Sequence, residues 1–201
     1  MNWKGILNDW RIITGICTVG ILLFILFLRN KALGVINSNS IFMNNEKLIF
    51  EEKVKAAYRA EFIAKIKAIC IRLDIDPNWL MKVINKESAG TFSPSIKNPT
   101  SSATGLIQFM ADTAKGLGTT TAKLAKMSAI DQLDYVEKYF QPYKGKMHSF
   151  ADVYIAVFYP AALNKADSWV FPNWVYKAQK YIDLNKNGNI TLGEFKKWMN
   201  K

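Results

Sequence analysis

One residue in this 201-residue chain stands out by type and spacing: Glu87. Leu80, Val83, Ile84 and Glu87 occupy positions i, i+3, i+4 and i+7, so on a helix they share one face and the carboxyl closes an apolar stripe. A carboxyl turned inward loses hydration and its pKa rises. A Glu kept protonated near neutrality can act as a general acid. A Glu that merely pairs with a nearby Lys or frays at a helix end would show the same spacing, and spacing alone slightly favours that role.

A second constellation lies near the C-terminus. Asp183, Asn185 and Asn187 fall at the first three ligand positions of a twelve-residue EF-hand-like loop. Gly188 stands at its sharp turn, Asn189 offers a backbone carbonyl, Ile190 takes the apolar position and Glu194 the closing carboxylate. With Asp183 and Glu194 as the sole carboxylates, Ca2+ would bind with a Kd on the order of tenths of a millimolar to millimolar. The metal-free alternative is an Asx turn that starts a short helix through Phe195 and Trp198. A calcium ion here would pin the C-terminus and take no part in catalysis. No cofactor is expected for catalysis.

The residues around Glu87 change its balance. Lys86-Glu87-Ser88 closes a helix and is followed by Phe92 and Pro94; Ser102-Ala103-Thr104-Gly105-Leu106-Ile107-Gln108 comes next. These two blocks resemble the signatures of the lytic transglycosylase and goose-type lysozyme family, with Ile107 where Met is usual. Ile75-Asp76-Pro77-Asn78-Trp79-Leu80 and Thr113-Ala114 add to the likeness. It spans about residues 62–163 and is nearest to phage-associated versions through residues 91–118 and 131–135.

The resemblance implies roles residue by residue. Glu87 matches the catalytic acid/base, and Ser88 the residue beside it that helps fix the site. Gln108 matches the glutamine lining the sugar cleft, and Gly105 lets backbone approach the ligand. Tyr159 falls where the family has a tyrosine supporting the Glu, although Pro160 and Ala162 replace that block's Asn and Gly. Ser101 is a candidate for a family serine in the lengthened gap between the blocks. The implied chemistry needs one carboxyl. Glu87 protonates the leaving glycosidic oxygen, the substrate's N-acetyl group shelters the developing charge, and the same Glu then takes the proton of the muramic C6 hydroxyl. A two-carboxylate hydrolase would need a second acid at a defined distance. Asp112, Asp131 and Asp152 read instead as surface or helix-start charges.

These residues must be positioned by helices. Apolar residues recur at spacings of three and four from about Lys47 through Phe50, Val54, Phe62, Ile66 and Cys70 to Leu73, which predicts one long helix. Asp76 as N-cap and Pro77 as first residue predict a second over 78–88. Further helices are expected over 111–115, 128–140 and 150–163, and no alternating strand is evident. The fold class is therefore mostly α, and the resemblance implies a lysozyme-like helical domain, expected behind an N-terminal transmembrane helix.

Residues 12–28 are uncharged and bracketed by Arg11 and Arg29, a short membrane span. A cleaved signal peptide would need a small-residue site such as Ala32-Leu33-Gly34, which Arg29 and Lys31 disfavour. The expected organisation is a short flank 1–11, an anchor 12–28, a polar linker 29–46, the catalytic domain 47–172, and the EF-hand-like loop and final helix 173–201. The net charge of +11 reads first as scattered lysines that confer solubility and second as a match to an anionic wall polymer, and no run of basic and aromatic residues marks a nucleic-acid site. One histidine and two unclustered cysteines, Cys17 and Cys70, leave a zinc site or a Ser-His-Asp triad nothing to build on. The expected partners are peptidoglycan glycan strands and, through residues 12–28, a lipid bilayer. The domain is expected outside the cytoplasm, at a bacterial inner membrane or the membrane of a lipid-containing phage virion. Hydrolytic muramidase, an inactive wall-binding module and a calcium-responsive membrane adaptor are the rival readings.

Overall fold

The computed structural model describes residues 47–200. The anchor and linker expected over 12–28 and 29–46 lie outside the described residues. Among the described residues no helix is long and apolar enough to cross a membrane.

Eight α-helices are found among the described residues: α1 Arg59–Leu73, α2 Pro77–Glu87, α3 Ala111–Gly116, α4 Thr121–Leu124, α5 Ala129–Phe140, α6 Phe150–Phe158, α7 Asn173–Ala178 and α8 Leu192–Met199. Short 3-10 turns connect several of them, and isolated bridges are the only β pairing among these residues. The mostly α expectation holds.

The start of α1 departs from the periodicity. Residues 51–53 and 56–58 are 3-10 turns, separated by extended backbone at Val54. Phe50 sits in the left-handed region with φ 62°. The Arg59 guanidinium donates to the carbonyls of Glu52 and Val54, and the Glu51 carboxylate accepts from Leu48 N–H. These side-chain bonds satisfy a backbone that does not coil, while Val54 still reaches full burial.

The turn into α2 follows the sequence closely. Asp74 adopts a left-handed φ of 60°, and Ile75 N–H reaches back to Cys70 O at 3.1 Å. Asp76 Oδ1 then accepts from Asn78 N–H at 2.7 Å, and Pro77 fills the first helical position. Leu80, Met81, Val83 and Ile84 are fully buried, each contributing about 2 kcal/mol of hydrophobic stabilisation. Packing pairs α1 with α5 and α2 with α6. The Arg72–Glu137 ion pair at 2.5 Å and the Tyr139 hydroxyl donating to Ala156 O at 2.7 Å tie α1 to α5 and α5 to α6.

α6 is shorter than the expected 150–163. It stops at Phe158 because Pro160 disfavours helical backbone in the preceding residue, and Tyr159 takes φ −154°. The segment after Pro172 is not set apart from the domain. Residues Lys47–Lys201 cluster as one compact unit, and Val175, Ile182, Ile190, Leu192 and Phe195 join the common core. Phe171 N–H to Ile190 O at 2.9 Å and Leu192 N–H to Trp169 O at 2.8 Å stitch this segment in place.

Candidate active site

Glu87 is the last residue of α2, half-buried at the end of its apolar stripe. Burial pushes its carboxyl above the usual carboxylate range, against a hydrogen bond from the Tyr154 hydroxyl and the charge of Lys86. Among the described residues it is the one acid shifted upward. Glu137 is held low beside Arg72. Burial would raise Glu194, but bonds from Thr191, Asn185 and Leu184 leave it lowered.

The tyrosine on Glu87 is Tyr154, in the middle of α6, and not Tyr159. Tyr154 is 8% exposed, and burial together with the Glu87 charge drives its hydroxyl upward, so it stays a neutral donor. Tyr159 lies beyond the helix end, where its ring meets Trp169 at 5.8 Å, Phe171 at 5.7 Å and Trp174 at 6.0 Å. Tyr154 was not singled out in the sequence, because its partner belongs to a helix far away along the chain. Its place within the apolar run 153–156 reads as core.

Ser88 is fully buried. Its hydroxyl accepts from Phe92 N–H at 3.0 Å, and its carbonyl accepts from the Thr91 hydroxyl at 2.7 Å. These bonds fix a turn in which Ala89, Gly90 and Phe92 all have positive φ. Ser88 therefore shapes the loop that leaves Glu87 and is not exposed to a ligand.

Gly105 is also buried, and its close approach is internal. A Cβ there would stand 2.3 Å from Gln132 Oε1, and φ is +84°. Gln132, wholly buried in α5, takes Leu106 N–H on its Oε1 at 2.7 Å. Its amide nitrogen donates to Pro94 O at 3.0 Å and Leu124 O at 2.9 Å. One side chain thus joins the loop after Glu87, the Gly105–Gln108 block and α4. The paired amide demands of three loops are the signal that could have found Gln132, and they appear only once the fold is known.

Gln108 is partly exposed, with φ 54° and its amide nitrogen donating to Gly105 O at 3.1 Å. Ser101 is exposed in a turn, where its hydroxyl accepts from Ala103 N–H. Asp112 is exposed; Asp131 and Asp152 bond to Ser128 and Ser149 at their helix starts. None of these three acids is placed as a partner of Glu87. His148 is exposed, its backbone N–H donating to Asp152.

In the C-terminal loop, Asp183 accepts from Asn187 and Gly188 N–H, Asn185 from Asn187, and Asn187 from Asn189. Glu194 Oε1 takes the N–H groups of Leu184 and Asn185, while Oε2 takes the Thr191 N–H and hydroxyl in a capping box. Asn189 Oδ1 is buried without a partner. Among the described residues no group of three or more His, Cys, Asp or Glu is gathered as for a metal.

The helical domain places a half-buried Glu at the end of its second helix, hydrogen-bonded by a tyrosine from a neighbouring helix. Residues 65–143 match the family model described as the transglycosylase SLT domain. That family comprises lytic transglycosylases, enzymes that degrade peptidoglycan, so this segment is an enzyme domain with peptidoglycan as its substrate. The match includes Glu87, Gly105, Gln108 and Gln132 and ends before Tyr154. No curated protein matches the chain.

Proposed function

We propose that the protein is a membrane-anchored lytic transglycosylase that cleaves the β-1,4 bond between N-acetylmuramic acid and N-acetylglucosamine, with Glu87 as acid and then base. The observation that carries this reading is a half-buried Glu87 at the end of α2, hydrogen-bonded by Tyr154 and shifted upward by burial, within the segment matched to the transglycosylase family. Glu87 gives its proton to the leaving glycosidic oxygen. The N-acetyl group of the muramyl sugar supports the positive charge at C1. The Glu87 carboxylate then accepts the C6 hydroxyl proton as that oxygen bonds to C1, so the proton returns to Glu87 and no water is consumed. Tyr154 orients the carboxyl and stabilises its charged form between the two steps. Gln108 and Tyr159, both partly exposed, contact the glycan, while Ser88 and Gly105 hold the loops that frame it.

Residues 12–28 anchor the chain in a bacterial inner membrane or a phage virion membrane, and the domain works outside the cytoplasm, where its substrate lies. A calcium ion at Asp183, Asn185, Asn187, Asn189 and Glu194 would brace the start of α8. Incubating the full chain in detergent with purified sacculi, beside Glu87→Gln, tests the enzyme. The wild type is expected to release muropeptides with anhydro ends, and the variant to lose at least about a hundredfold in rate. Reducing ends in the mass spectrum would make it a muramidase, and equal activity in both proteins would remove Glu87 from the mechanism.

A further inference from the structure

We infer that the C-terminal segment builds an aromatic wall onto the glycan cleft, with Tyr181 and Trp198 stacking against sugar rings beside Glu87; this rests on the function proposed above. α8 packs through Phe195, whose ring lies 6.0 Å from Tyr154 and 5.1 Å from Phe158. One turn on, Trp198 is half-buried, with the Tyr181 ring at 5.6 Å and the Lys86 ammonium 4.6 Å from its own ring centre. Lys86 also stands 5.2 Å from the Tyr154 ring centre, and Tyr154 hydrogen-bonds Glu87. Tyr181, Trp198, Lys86, Tyr154 and Glu87 thus form an unbroken row, and Tyr181 lies near enough to Tyr154 for its charge to act there.

Tyr181 is 62% exposed, more than Trp174 at 59% or any other exposed large hydrophobic among the described residues. Its hydroxyl donates to Gln179 Oε1 and its ring packs against Trp198, contacts that restrict the ring. A ring so restricted loses less freedom on binding. One face of a pyranose is lined by C–H groups, which pack on an aromatic face while the sugar's rim of hydroxyls stays wet. Peptidoglycan adds the carboxylates of its peptide stems, and the exposed Lys86 and Lys197 complement them. Trp198 and Tyr181 both lie outside the matched residues 65–143, so the wall belongs to this chain's own C-terminal segment.

The test uses the full chain in detergent with purified sacculis' glycan as substrate. Tyr181→Ala is expected to raise KM about tenfold, ~1.4 kcal/mol, with kcat within about twofold of wild type. Tyr181→Phe, which keeps the ring but loses the bond to Gln179, should raise KM by less than Tyr181→Ala does, about twofold to threefold; a rise as large as that of Tyr181→Ala overturns stacking by the ring. An unchanged KM in Tyr181→Ala overturns the inference. Sedimentation of Glu87→Gln with intact sacculi, with and without Tyr181→Ala, reads the wall independently of turnover. A Kd about tenfold weaker in the double variant supports the wall, and equal Kd values overturn it whatever the fate of the Glu87 assignment.

Discussion

The Glu87 carboxyl carries opposing demands that a single substitution can separate. Burial holds its proton, so the folded chain keeps that proton to a higher pH than the unfolded chain does. Stability linked to this group is therefore lost as pH rises from the ordinary Glu range through the raised value. Glu87→Gln cannot ionise. Its melting temperature is expected to equal that of the wild type in acid and to exceed it near neutrality, a gap that differential scanning calorimetry across pH would measure. Tyr154→Phe acts the other way on the chemistry. The lost hydrogen bond favoured the carboxylate, so Glu87 should hold its proton more tightly and the alkaline limb of the pH–rate profile should move to higher pH. A profile that stays in place would assign Tyr154 to packing alone. The place of Glu87 at the end of an apolar stripe was legible in the sequence because that stripe falls within one helix. Tyr154 was not, since no local pattern tells a buried tyrosine with a carboxyl partner from one that only fills space.

At the level of elements, the loops around the site depend on a side chain in α5. Gly105→Ala would drive a Cβ into Gln132 and strain a φ of +84°, for an expected loss of about 1–3 kcal/mol. Gln132→Ala would leave Leu106 N–H, Pro94 O and Leu124 O without this partner, for a similar loss. Urea denaturation of the two single variants and the double should show non-additive costs, because the Gln132 amide is common to both. Additive costs would mean that the glycine answers to its backbone angle alone. The helix over Pro77–Glu87 could be read from Asp76 and Pro77, whose capping is local. The irregular stretch before Arg59 could not, because Arg59 bonds the carbonyls of Glu52 and Val54 and so satisfies a non-helical backbone that still buries Val54. The expected helix past Phe158 ignored Pro160, a local signal that was present.

Across the whole molecule, the C-terminal loop and the acid are parts of one packed body. Glu194 caps α8, whose Phe195 lies against Tyr154. If the proposed calcium site forms, millimolar CaCl2 should raise the melting temperature by a few degrees, and Asp183→Ala should abolish the shift. An identical melting curve with calcium and with chelator would leave the loop held by its own hydrogen bonds. The loop's Asx turns and the short helix they lead into were legible in the sequence, whereas its attachment to the core through residues 169–171 depends on pairing that no sequence pattern announced. The buttress of the acid also has an order in time. Ribosomes deliver Phe195 and Trp198 after the rest of the site has been synthesised. A nascent chain that has emerged only as far as residue 143 holds Glu87 and the matched segment without Tyr154 or α8. The packing around Glu87 and Tyr154 is therefore complete only once residues 192–199 have been synthesised, and any shorter nascent chain carries the acid without its buttress.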